Sequence, residues 1–161
     1  MIFVTVGTQM PFDRLVITMD RWAAAHRDHS VVAQIGNSGI TPGNLRSRPW
    51  MSSTEFGESL HGAEVIVSHA GIGTILQARQ AMVPIVVMPR RVRFGEHRDD
   101  HQIETARRLE ALGVVSVAWD ERELPARLEA ALESTAMKTQ ERSSRPAMIA
   151  ALRKIILDEF R

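Results

Sequence analysis

The six residues His69-Ala70-Gly71-Ile72-Gly73-Thr74 have the types and spacing to hold an anion. Gly71 and Gly73 can take backbone angles that other residues avoid, and they let a ligand come close. A helix starting there points free N–H groups and a positive dipole end at the loop, which suits a phosphate or diphosphate. Thr74 adds a hydroxyl. The run is not a dinucleotide fingerprint, because the third glycine of G-x-G-x-x-G would fall at Leu76. It is not a P-loop either, because no Gly-Lys-Ser/Thr follows. A tight strand-to-helix turn with no ligand fits the same spacing equally well.

The flanking runs say what must position this loop. Glu64 to Ser68 and Pro84 to Met88 are short, β-branched and without polar alternation. Both read as strands buried on two faces, as in a parallel sheet with helices on each side. Ile2 to Val6 is a third such run, ending at Gly7-Thr8-Gln9. Ser30 to Ile35 is a fourth, followed by the turn Gly36-Asn37-Ser38-Gly39. A short strand is expected near Pro49-Trp50-Met51, and another over Val114 to Ala118.

Helices alternate with these strands. Pro11 to His26 places Phe12, Leu15, Val16, Met19 and Ala23 on one face, with Trp22 extending it as core. Ser52 and Glu55 form a capping-box pattern before a helix that stops at Gly62. Asp99-Asp100 opens a helix with Ile103, Ala106, Leu109 and Leu112 on its apolar side and Gly113 as its stop. Glu121 to Glu133 is amphipathic, 134–145 reads as a linker, and Pro146 begins a last helix to Phe160. The alternation predicts a single α/β domain over residues 1–161, with a Rossmann-like, largely parallel sheet and an α/β core over 1–133. Its site loops should lie at the carboxyl ends of the strands: Gly7–Gln9, Gly36–Gly39, His69–Thr74 and Pro89–Arg98.

Composition narrows the function classes. The 161 residues are 44% hydrophobic, enough for one core. A net charge of +1 gives no broad basic surface for nucleic acid. There is no cysteine, which excludes disulfides and cysteine metal sites. The start lacks the pattern of a signal peptide, and no apolar run is long enough to span a bilayer. A cytoplasmic location is the expectation.

Four segments, in order, resemble family 28 glycosyltransferases: Phe3-Val4-Thr5-Val6-Gly7-Thr8, Phe12-Asp13-Arg14-Leu15, Ser68-His69-Ala70-Gly71-Ile72-Gly73-Thr74 and His101-Gln102-Ile103-Glu104-Thr105-Ala106. The likeness runs from Met1 to about Ala118 and is to the C-terminal, donor-binding half of the GT-B fold. The chain looks like a free-standing version of that half. It is similar to the catalytic subunit of the two-subunit N-acetylglucosaminyltransferase of dolichol-linked oligosaccharide synthesis, and to bacterial counterparts in exopolysaccharide synthesis.

The resemblance implies a UDP-sugar as donor substrate, with no cofactor and no metal. By position, Gly71, Gly73 and Thr74 would face the diphosphate, with His69 and Ala70 in the same loop. Gln77 stands where the family commonly has a glutamate on the ribose hydroxyls, and a glutamine can also hydrogen-bond there. His101 and Gln102 match a polar pair that touches the donor sugar, and Gly7 and Thr8 would sit at the cleft toward the acceptor. His69 is the catalytic candidate in this chain. The base is expected from a membrane-associated, acceptor-binding partner subunit, which would also recruit the chain to the inner membrane face and a lipid-linked acceptor.

Plainer readings stand beside these. His69 could only cap its loop, and His101 and Gln102 could be a solvated first turn. Arg90, Arg91, Arg93 and Arg98 suit a solvated loop face or contact with an anion equally. The Glu96–His101 cluster suggests a metal, but neighbouring residues cannot all converge on one ion. The rival function is a non-catalytic, nucleotide-sugar-binding regulatory subunit.

Overall fold

The short β-branched runs form strands and the amphipathic runs form helices, alternating except for two consecutive strands before the second helix. The computed structural model describes residues 1–137. In chain order the elements are β1 (Ile2–Thr5), α1 (Asp13–Ala25), β2 (Val31–Gln34), β3 (Arg46–Arg48), α2 (Ser53–His61) and β4 (Val65–His69). Then come α3 (Ile72–Gln80), β5 (Ile85–Met88), a 3-10 turn (Val92–Phe94), α4 (His101–Ala111) and β6 (Ser116–Val117). Residues 124–137 form a further helix, α5.

The strands make one sheet of order β3-β2-β1-β4-β5-β6, and every pairing is parallel. The order reverses at β1, which pairs with β2 on one side and β4 on the other. That is a topological switch point, and ligands of open α/β sheets bind outside the strand carboxyl ends there.

Alternation along β1 divides the core into two layers. Ile2, Val4 and Val6 are buried with Leu15, Met19 and Trp22 of α1 and with Leu124 and Leu128 of α5. Phe3 is buried on the other face, with Ile75, Ala78 and Ala106 of α3 and α4. Its ring meets Phe56 of α2 edge-on at 5.1 Å. The capping box forms as read: Ser52 Oγ accepts from Glu55 N–H at 3.2 Å, and Glu55 Oε2 accepts from Ser52 N–H at 2.9 Å.

Several boundaries differ from expectation. The third strand is Arg46–Arg48, not a run near Pro49 to Met51. Pro49 has no N–H to give the ladder, so the strand ends before it. Leu112 is not on the apolar side of α4; it follows the helix and is 73% exposed. Residues 134–137 continue α5 past Glu133. The rest of the expected linker and the helix expected from Pro146 lie outside the described residues. Among the described residues no helix is long and apolar enough to cross a membrane.

Candidate functional site

A cleft of about 640 Å³ opens at the carboxyl end of the sheet, over the switch point. Gly7, Thr8 and Gln9 after β1 form one wall. His69 at the end of β4, with Gly71, Gly73, Thr74 and Gln77 after it, forms another. Arg90, His97, His101 and Gln102 come from the connection after β5 and the start of α4. The structure thus brings together nine of the ten residues singled out from the sequence. The tenth, Ala70, does not line the cleft. It is 2% exposed and packs in the core with Leu60, Ile75 and Ala78, because its side chain points away from the loop's open side.

The start of α3 carries the anion-binding geometry. Gly71 is its N-cap, in extended backbone, and no side chain caps the helix. The first intrahelical bond runs from Ile75 N–H to Gly71 O at 3.2 Å. The N–H groups of Ile72, Gly73 and Thr74 therefore have no acceptor within the helix. They are the donors an anion in the cleft would use.

The two glycines of the loop differ in kind. A Cβ on Gly73 would meet nothing within 4 Å, so that position is open to a ligand. A Cβ on Gly71 would collide with the His69 ring. A Cβ on Gly7, at φ +77°, would likewise fall on the ring, 2.6 Å from His69 Cε1. The imidazole thus packs against both glycines, and only glycine leaves room for it. Burial, and then the nearby Arg90 charge, lower the His69 pKa to about 4; His97 adds to this and the Thr5 backbone opposes it. His69 is therefore neutral at neutral pH, and its buried Nδ1 makes no hydrogen bond within 3.5 Å among the described residues.

His101 and Gln102 behave differently from each other. His101 is exposed, and both its Nδ1 and its backbone N–H are hydrogen-bonded to Asp99 Oδ1. Gln102 is buried, and its Oε1 accepts from Arg90 N–H at 3.2 Å. The cluster before them divides. Glu96 turns to Arg14, and Asp100 Oδ1 accepts from Val92 N–H. His97, Asp99 and His101 stay together, with one donor atom from each within 4.8 Å of the others. Two imidazoles and a carboxylate are a donor set that could hold a divalent cation.

Two sequence expectations are corrected. Arg90 is neither solvated nor a free anion contact. It is 2% exposed and spends its guanidinium on backbone carbonyls. Arg91 also turns inward, donating to Trp119 O at 2.6 Å, whereas Arg93 and Arg98 are exposed. The Gly36–Gly39 loop does not line the cleft. Its Ser38 hydroxyl and Gly39 N–H donate to Asp13 instead, fixing the start of α1.

Sequence reasoning missed the wall formed by Gln34, Met51, Ser53 and Phe56. Gln34 is 4% exposed, and its Oε1 accepts from Met51 N–H at 3.0 Å. An amide closing an otherwise apolar strand was the available signal.

Solved structures share this architecture. The glycotransferase of kitacinnamycin is 26% identical, with a TM-score of 0.61 over 84% of this chain and 34% of its own. CalG4, the calicheamicin glycosyltransferase, is 26% identical, with a TM-score of 0.58 over 83% of this chain and 34% of its own. MurG of Acinetobacter baumannii, at 19% identity and a TM-score of 0.53, shares the fold over 85% of this chain and 40% of its own. The chain thus spans between a third and two fifths of the length of these proteins, and its sheet is that of a GT-B half. The sequence pattern of the glycosyltransferase family 28 C-terminal domain matches residues 1–157, and the chain belongs to that family.

Proposed function

We propose that this chain is the donor-binding, catalytic subunit of a bipartite glycosyltransferase. It takes a UDP-sugar as substrate and transfers the sugar to a lipid-linked acceptor in polysaccharide or glycan synthesis. One observation carries this reading: the uncapped α3 N-terminus, with Gly73 open beside it, facing a cleft at the switch point. Diphosphate charge is then met by backbone N–H groups and the helix dipole, and UDP leaves from the anomeric carbon. His69, Thr74 and His101 line the same cleft, and in this reading His101 meets the sugar.

The match covers about a third of the kitacinnamycin glycotransferase and of CalG4. In this reading the acceptor side and the base come from a membrane-associated partner that holds the complex at the inner membrane face. A second reading, a non-catalytic nucleotide-sugar-binding regulatory subunit, is favoured by one feature: no Asp or Glu lines the cleft among the described residues.

Calorimetric titration with UDP and a panel of UDP-sugars tests the donor site. Absence of binding, both alone and with the co-expressed partner, overturns the proposal. Transfer to a lipid acceptor on adding the partner supports catalysis. Binding without transfer supports the regulatory reading.

A further inference from the structure

We infer that Arg90 is the positioning residue of the cleft: one guanidinium fastens both ends of the Gly7–Gln9 loop to the β5–α4 connection, holding Gly7 against the His69 ring. Its Nη2 donates to Val6 O at 2.5 Å and Met10 O at 2.6 Å, immediately before and after that loop. Its Nη1 donates to Pro11 O at 2.8 Å and Glu96 O at 2.9 Å. Its own N–H reaches Gln102 Oε1, and its side chain lies over the Phe12 ring at 4.9 Å. One residue therefore ties together the β1 loop, the β5 loop and the first turn of α4.

The chemistry explains why arginine stands here. Four carbonyls in different directions need a planar fork with several fixed donors, and a lysine ammonium is a point charge with three. Among the described residues no carboxylate pairs with it. Glu96 Oε1 and Oε2 are held by Arg14 at 2.8 and 2.9 Å, and Oε2 also accepts from Arg91 N–H. The Arg90 charge is balanced by carbonyl dipoles and stays electrostatically visible at the cleft floor. Burial brings its pKa down to about 10, with the Glu96 charge acting against the fall, so it remains a cation at neutral pH. Burial chiefly, and then the Arg90 charge and His97, keep His69 neutral.

The consequence for donor binding rests on the function proposed above; the consequence for the loop does not. Arg90→Lys and Arg90→Met are compared with wild type in three measurements: ¹⁵N order parameters over Gly7–Met10, the His69 imidazole pKa by NMR, and UDP affinity. Arg90→Lys keeps the charge and loses the fork. Its loop order parameters fall from about 0.85 to below about 0.6, His69 stays near pH 4 in its titration, and UDP binding weakens about tenfold as preorganisation is lost. Arg90→Met shows the same loosening, and its His69 pKa moves up toward the ordinary value. Unchanged loop order in Arg90→Lys overturns the inference, and that variant decides alone if Arg90→Met does not fold. If wild type binds no UDP, the proposed function fails, and the loop and His69 measurements still decide the role of Arg90.

Discussion

Gly71 and His69 compete for one volume: a side chain on Gly71 would have to occupy the space that the His69 Nε2 edge fills. Gly73, two residues on, has open space where its Cβ would be. Alanine at the two positions therefore separates packing from binding. Gly71→Ala is expected to cost about 1–3 kcal/mol from overpacking and to displace the imidazole. Gly73→Ala, in the first turn of α3, is expected to be neutral or stabilising by up to about 1 kcal/mol. Any loss of UDP affinity in Gly73→Ala then belongs to the ligand's approach. Urea denaturation and UDP titration of both variants check this, and equal destabilisation would refute it.

His69 also predicts a pH dependence. Its folded pKa is about 4 against an ordinary 6.5, chiefly through burial. The unfolded chain thus binds a proton at a higher pH than the folded one. The stability attached to this group is fully present above about pH 6.5 and is lost as pH falls toward and through 4. The shift corresponds to about 3 kcal/mol. The pH profile of stability of His69→Gln, subtracted from that of wild type, should show this loss. Coincident profiles would exclude it.

The Arg14–Glu96 pair should outweigh every surface ion pair here. Its side chains are 14% and 7% exposed, with Nε–Oε1 at 2.8 Å and Nη2–Oε2 at 2.9 Å. Burial works against the Arg14 charge, but Glu96 and then Glu121 more than offset it, so its pKa is raised. Glu96→Ala leaves a largely buried cation and is expected to cost roughly 3 kcal/mol. Removing Glu55 from Arg48, whose side chains are 45% and 64% exposed, is expected to cost far less through the ion pair. Arg48→Met reads that smaller term without disturbing the Ser52 cap. Similar losses in the two variants by denaturant titration would contradict the ranking.

Gln77 offers a test of the donor pose. It is exposed on α3 and lines the cleft. If ribose hydroxyls reach it, Gln77→Glu should tighten UDP binding several-fold, because hydrogen bonds to a charged acceptor are stronger. The melting temperature should not move. No change in affinity would place the ribose elsewhere.

Much of this was legible beforehand for local reasons. Val65 to Ser68 and Ile85 to Met88 are apolar without alternation, and that pattern has one common solution, a strand covered on both faces. The Ser52–Glu55 box needs only four residues to form. The β3 boundary was misread because the edge strand is three residues long, with arginines at both ends. Nothing apolar marks such a strand, and only pairing with β2 defines it.

By itself, the order of residues determined the alternation of elements, the loop that begins α3, and the family to which these belong. Those depend on neighbours a few residues apart, whose backbone preferences and side-chain period are readable along the chain. The tertiary structure decided what each residue is for. Gly7 and Gly71 serve the His69 ring, although 64 residues separate the two glycines. Arg90 reaches across to Val6 and Met10, about 80 positions away, and becomes a buried clasp in place of a surface charge. Burial and the direction of a side chain follow from which strands pair, and no local pattern in the chain encodes that pairing.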